Sequence, residues 1–188
     1  MRQEELWDEF YSKNRTAWKG NTTVPIRVTG KALDLGCGNG KTVSTLIDEG
    51  FEVTGIDFSE IAVQQCRERF PQAEFVVGSV TDLPFPDSSF DYITAVHVLE
   101  HIDDKQLSDT VDEVSRVLRE GGLVFIRSFT ERDMRSEKRS DSDIFYRFYE
   151  VQDIVDAFKG FSVISAELKE ERTRFGTLRS RAEVLLKL

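Results

Sequence analysis

Asp34, Gly36, Gly38, Gly40, Asp57 and His97 are the residues whose types and spacing suit chemistry. The stretch Leu33-Asp34-Leu35-Gly36-Cys37-Gly38-Asn39-Gly40 sets three glycines at alternate positions, two residues after an acid. A short apolar run precedes it, and Val43, Leu46 and Ile47 follow at helical spacing, so it reads as strand, glycine turn and helix. Glycine lets a ligand lie against the backbone, and the helix start adds unpaired N–H groups facing the same place. The spacing is G-x-G-x-G and not the G-x-G-x-x-G of a dinucleotide turn, and no Lys-Ser/Thr follows a four-residue gap as a P-loop requires. A carboxylate at Asp34 would repel a pyrophosphate but could hold the cationic amino end of a ligand. Asp57 ends a second β-prone run, Phe51 to Ile56, about twenty residues beyond the turn, where a βαβ unit sets an acid against a ribose. Ser59 serves as the cap of the following helix, which leaves Asp57 for the sugar.

Both histidines, His97 and His101, follow the apolar run Tyr92 to Val96, at the carboxyl end of a predicted strand where open α/β sheets bind ligands. His101 reads as a loop-ordering hydrogen-bond residue. His97 reads either as a backbone contact or as a side chain with a catalytic role. The neighbourhood offers too few ligands for a metal, and none is expected.

The elements that must position these residues alternate. Strands are predicted near Ala32–Leu35, Phe51–Ile56, Glu74–Val77, Tyr92–Val98, Leu123–Ile126, Phe161–Leu168 and Leu178–Leu188, with helices between them. Leu107, Val111, Val114 and Leu118 give a clear amphipathic helix, with Gly121-Gly122 as its expected stop. Cys66 falls on the apolar face of the helix Ser59–Phe70 and reads as core. The prediction is a Rossmann-like doubly wound α/β sandwich, its seven-stranded sheet mostly parallel with a C-terminal antiparallel strand.

With 188 residues, the chain reads as one domain. A net charge of −9 disfavours nucleic acid as a partner, since binding relies on basic surface to neutralise phosphates. No stretch approaches the roughly 20 apolar residues of a membrane span, the N-terminus lacks the apolar core of a signal peptide, and two cysteines are too few for a disulfide scaffold. These features point to a cytoplasmic protein with a small-molecule partner. Nothing in the sequence sets an oligomeric state.

Three strings, in order, carry a resemblance: Asp34 with its G-x-G-x-G, Leu83-Pro84-Phe85 with Ser89-Phe90-Asp91, and Leu118-Arg119-Glu120-Gly121-Gly122. The sequence resembles the class I S-adenosylmethionine-dependent methyltransferases over roughly Ala32 to Ile126, and among them those acting on small molecules. The Asn-Pro-Pro-aromatic signature of amino-methylating nucleic-acid enzymes is absent. The resemblance implies S-adenosyl-L-methionine as cofactor and S-adenosyl-L-homocysteine as product. It implies cofactor contacts at Asp34, Gly36, Cys37, Gly38, Gly40, Asp57, Phe58, Ser79, Val80, Val96 and His97. Ser79 stands where the family usually carries an acid or amide for the adenine amino group, so either Ser79 or Asp82 would take that part. The alternatives are an NAD-dependent oxidoreductase, which needs a phosphate-binding turn, and a regulatory protein that binds the cofactor without turnover.

The resemblance also organises the ends. Residues 1–30 would form an N-terminal helix and lid, with Leu6, Trp7, Phe10 and Tyr11 on one face and Trp18 in the closing loop; the same face could simply pack on the domain. Residues 31–126 are the cofactor-binding core, 127–149 a substrate-facing segment, and 150–188 a C-terminal helix and strand pair. Trp18, Arg127, Arg147 and Tyr149 are the expected acceptor contacts, and their arginines favour an anionic acceptor. A solvated loop with aromatic anchors is the competing reading of 127–149.

Overall fold

A computed structural model describes residues 2–14, 22–136 and 143–188. Trp18 and the basic residues Lys138 and Arg139 lie outside the described residues. Seven strands form one sheet in the order β3-β2-β1-β4-β5-β7-β6. They are β1 Lys31–Leu35, β2 Glu52–Asp57, β3 Glu74–Val77, β4 Phe90–Val96, β5 Leu118–Phe129, β6 Ser162–Arg172 and β7 Leu178–Lys187. The first five run parallel, and β7 lies antiparallel between β5 and β6. This is the predicted sandwich.

Alternation along the strands divides the core. Leu33, Leu35, Ile93, Ala95, Val124 and Ile126 face the helices α4 (Asp104–Val117) and α5 (Val151–Ala157). Ala32, Val53, Tyr92, Phe125 and Leu185 face α2 (Lys41–Asp48) and α3 (Glu60–Arg69). The N-terminal helix α1 (Gln3–Lys13) packs through Trp7 and Tyr11 on Ala62 of α3. Ser59 caps α3 by accepting the Ala62 N–H at 3.1 Å, as its sequence position predicts.

Two boundaries differ from the sequence reading. Helix α4 stops at Val117, before Gly121-Gly122, because Leu118 turns extended and pairs with Phe90 of β4. The glycines instead fall in a bulge, where the register passes from Phe90↔Leu118 to Tyr92↔Leu123. Arg119 in this bulge binds Asp91, whose other oxygen accepts the Lys31 N–H at 2.8 Å. That acid joins the start of β1 to β5. Strand β6 extends through the charged residues 169–172, because β7 supplies a partner at each rung, down to Arg172↔Leu178.

Gly40 shows what the turn demands of its third glycine. It is the N-cap of α2 in the left-handed region (φ 78°), and a Cβ there would stand 2.3 Å from the Phe70 ring. Strain and overpacking together predict that Gly40→Ala destabilises the protein by about 2–5 kcal/mol. Urea unfolding should show a lowered midpoint at unchanged slope; an unaltered midpoint would mean the turn tolerates a side chain.

Candidate active site

The glycine turn links the end of β1 to α2. Gly36, Gly38 and Gly40 all hold positive φ, at 58°, 50° and 78°. The Cys37 N–H donates to the Ile56 carbonyl at 3.0 Å, so the turn lies against the end of β2. There Asp57 fixes it: one oxygen accepts the Gly38 N–H and the other the Ser59 N–H, both at 2.9 Å. Asp57 therefore joins turn, strand and helix start through one carboxylate. Each oxygen retains a second lone pair for a ligand hydroxyl. Burial pushes the Asp57 carboxyl up to about 6, against the lowering effect of the Ser59, Gly38 and Phe58 N–H groups.

Asp34 sits on β1 with 2% of its surface exposed and accepts the Thr94 hydroxyl at 2.7 Å. Burial pushes its carboxyl up to about 7; the Thr94 bond opposes the rise and the charge of Asp57 adds to it. Two buried acids on neighbouring parallel strands lack a cation of their own among the described ion pairs. This arrangement suits a ligand with a positive group at one end and hydroxyls near the other.

A cleft of about 1100 Å³ opens beside the turn, lined by Gly36, Cys37, Gly38, Val96, His97 and Arg127 among others. Tyr11 closes one end. Its hydroxyl lies 2.6 Å from where a Gly38 Cβ would be, and burial beside Asp57 pushes its phenol well above the ordinary range. Helix α1 is anchored here by Asp8, which accepts the Ser59 hydroxyl at 2.5 Å. The N-terminal aromatic face thus packs on the domain at the mouth of the turn.

His97 leaves β4 with φ 60°, its N–H donating to the Arg127 carbonyl at 2.8 Å. Its ring stacks on Phe129 with centroids 3.8 Å apart, and Nδ1 lies 2.9 Å from Oε1 of Glu100. Glu100 is fully buried, and the same oxygen accepts the Phe129 N–H at 2.8 Å. Burial pushes the Glu100 carboxyl up, but the His97 bond, the two histidines' charge and that N–H outweigh it and hold it low. Burial also lowers His97; Glu100 opposes the shift, while Arg127 and Arg135 add to it. A charged carboxylate facing Nδ1 makes Nδ1 the protonated nitrogen and leaves Nε2 as an acceptor. His101 does order its loop: Nδ1 meets the Phe145 carbonyl at 3.0 Å, with Trp7 and Tyr146 packed edge-on.

The other expected residues divide. Arg127 lines the cleft, paired to Glu183 at 2.8 Å and bound to the Thr23 carbonyl at 2.6 Å. Gly40 faces Phe70 and Cys66 instead of the cleft. Phe58 packs beneath α1, and Ser79 at the end of β3 bonds Thr81 at 2.7 Å; neither borders the cleft, nor does Val80. Arg147 pairs with Asp104 and stacks on Tyr149 at 4.7 Å, while Tyr149 is 1% exposed in the core. Neither residue borders the cleft, where the acceptor contacts were expected. Sequence reading missed Glu100, although it stands one turn beyond His97. It also missed Arg179 and Arg181, whose alternation on β7 is the signal that they share a face.

Comparison with known proteins follows the same lines. Residues 33–126 match a family described as a methyltransferase domain. The chain is 37% identical over 122 residues to a 2-methyl-6-phytyl-1,4-hydroquinone methyltransferase of Synechocystis, covering 63% of this chain and 37% of that protein. It is 33% identical over 113 residues to the 27-O-demethylrifamycin SV methyltransferase of Amycolatopsis mediterranei, covering 56% and 41%. The chain thus spans about two-fifths of the length of these curated relatives. Among solved structures, a methyltransferase from Methanosarcina mazei superposes with TM-score 0.72 at 24% identity, covering 84% of this chain and 91% of the other. One from Archaeoglobus fulgidus gives 0.73 at 16%, covering 98% and 94%, a likeness of fold.

Asp34 costs stability that its removal should return. A carboxyl raised to about 7 stays protonated in the native state where the unfolded chain, near 3.8, has ionised. The penalty grows as pH climbs from about 4 to about 7 and, at about 1.4 kcal/mol per pH unit, reaches on the order of 4 kcal/mol. Asp34→Asn should therefore unfold at higher urea than the parent at pH 8 and at the same urea at pH 4. Equal midpoints at both pH values would show that the carboxylate is not desolvated.

Proposed function

The chain belongs to the S-adenosylmethionine-dependent methyltransferases, and from that membership we propose that it methylates a small-molecule acceptor held in the cleft beside His97. The observation that carries the reading is the turn itself: a glycine bend held by Asp57, with Asp34 buried behind it. The donor set fits the cofactor. Asp34 would face the amino group, directly or through water, and Asp57 the ribose hydroxyls, while Gly38 brings the backbone close. Bound S-adenosylmethionine supplies a methyl group already activated on a sulfonium. What remains for the protein is alignment and exclusion of water. Helix α1 roofs the turn through Tyr11, and Cys37 and Val96 line the cleft. The Cys37 thiol is held protonated by the Cys66 hydrogen bond and by burial, so it is no nucleophile.

In this reading His97 would take a proton from the acceptor. Glu100 holds Nδ1–H and orients the ring on Phe129, and Nε2 has no hydrogen-bond partner among the described residues. Such assistance typically contributes about 10²–10⁴-fold. Buried free thiols at Cys37 and Cys66 support a cytoplasmic setting. Among the described residues no helix is long and apolar enough to cross a membrane.

Incubation of the full chain with methyl-labelled S-adenosylmethionine and a panel of phenols, quinols, amines and carboxylates tests the activity. Label should appear in one acceptor class with stoichiometric S-adenosylhomocysteine. Cofactor binding without transfer to any class would favour the regulatory reading.

For the best acceptor, the rate should rise with pH as neutral His97 accumulates and level off above its lowered pKa. Glu100→Gln removes a charge that favours the imidazolium, so the rising limb should shift to lower pH. His97→Asn should slow transfer by at least about tenfold and erase that limb. A profile unchanged in both variants would remove His97 from the chemistry.

A further inference from the structure

The far wall of the cleft carries charge that the cofactor site leaves unused. On β7, Arg179, Arg181 and Glu183 alternate onto one face, and the register sets them against Phe129 and Arg127 of β5 and Glu171, Lys169 and Glu167 of β6. That is the face toward α2, because Phe125 and Leu185, in step with these residues, pack there. Lys41, the first residue of α2, looks onto the same cleft.

Cations outnumber the acids that could neutralise them. Seven lining side chains are Lys or Arg and four are Glu. Glu183 is committed to Arg127, Glu167 to Lys169, and Glu170 to Arg132 and the Ser180 hydroxyl. Glu171 alone serves two arginines, Arg181 at 2.9 Å and Arg179 at 3.6 Å. The Nε atoms of both guanidiniums are buried without an acceptor among the described residues. Lys41 pairs with no carboxylate among the described residues and is half-buried. Desolvation lowers its pKa, and Arg127, Arg179, Arg181 and Arg135 lower it further. In a chain of net charge −9, this is a local excess of positive charge.

We propose that Lys41, Arg179 and Arg181 form an anion subsite that receives a carboxylate or phosphate group carried by the acceptor. The subsite follows from the charges alone; its assignment to the acceptor rests on the methyltransferase reading. Guanidinium forks suit a two-oxygen anion, and the ammonium adds a point charge from the opposite wall. The anion would anchor one end of the acceptor at β7 and leave its other end toward His97, which borders the same cleft. Arg127 and Arg135 contribute field only, since each has a carboxylate to itself, whereas Arg179 and Arg181 share the single carboxylate of Glu171.

Calorimetry with inorganic phosphate tests this on the full chain at low salt, alone and saturated with S-adenosylhomocysteine. Wild type should bind one phosphate in both states. Lys41→Gln and Arg181→Gln should each weaken it at least tenfold, with Arg181→Lys intermediate and S-adenosylhomocysteine affinity unchanged in the Arg181 variants. Equal phosphate affinity in wild type and variants, or none in wild type, overturns the subsite. If S-adenosylhomocysteine abolishes phosphate binding, the anion is the cofactor's own carboxylate and the acceptor assignment falls. Phosphate binding without any S-adenosylhomocysteine binding leaves the subsite standing and overturns the cofactor reading instead. A measurement on wild type alone guards against misfolded variants: phosphate should slow acetylation of Lys41 by acetic anhydride several-fold, read by peptide mass, and no protection would again overturn the subsite.

Discussion

The hydrogen bond from the Gly38 N–H to the Asp57 carboxylate, 2.9 Å long and buried, is the interaction on which the site depends. It draws a left-handed glycine turn from β1 onto the end of β2, while the second oxygen of the same acid holds the first turn of α3. An apolar side chain at position 57 would leave two buried N–H groups without an acceptor, each costing about 1–3 kcal/mol. The arrangement is nonetheless expensive, because Asp57 and Asp34 are both desolvated and their carboxyls rise to about 6 and about 7. A fold under selection for stability alone would not bury two acids side by side without a cation. A ligand bearing an ammonium group and a diol would offset that cost and, by favouring the charged carboxylates, would expel protons as it binds.

From this point the sheet sets the remaining geometry. Parallel strands deliver the ends of β1, β2 and β4 to one edge, so the turn and His97 border one cleft while Asp57 is buried against the turn. The antiparallel insertion of β7 beside β5 brings residues from the far end of the chain to the same edge, with Arg181 opposite Phe129 and Glu183 opposite Arg127. Helices α2 and α3 cover the strands from β3 to β5 but leave the corresponding face of β6 open. One end of the cleft is therefore walled by the glycine turn, with Asp34 and Asp57 buried behind it, and the other end by a surplus of basic side chains.

What was legible in the sequence follows from how local each signal was. The turn, both acids and the alternating elements were readable because each is written in a few consecutive residues. Ser59 capped its helix as expected, and both terminal strands paired as expected. The misread Gly121-Gly122 was a competition between two local signals. A double glycine stops helices, but here Leu118 had already found a strand partner 28 residues earlier in the chain, at Phe90. Arg147 and Tyr149 lie away from the cleft for a similar reason: aromatic and arginine side chains serve equally well as anchors, and only the tertiary fold shows that Tyr149 is buried and Arg147 held by Asp104. Glu100 was passed over because a buried acid in an apolar loop makes sense only once His97 and the Phe129 N–H are seen converging on it.

A turn of this geometry should take an S-adenosyl ligand and no nicotinamide dinucleotide. Parallel calorimetric titrations of S-adenosylhomocysteine and NAD into the full chain, each run at pH 6.5 in buffers of different ionisation enthalpy, measure it directly. S-adenosylhomocysteine should bind one-to-one with net release of protons from the buried acids, and NAD should give no detectable heat. Binding of NAD in preference, or S-adenosylhomocysteine binding with no proton release at that pH, would contradict it.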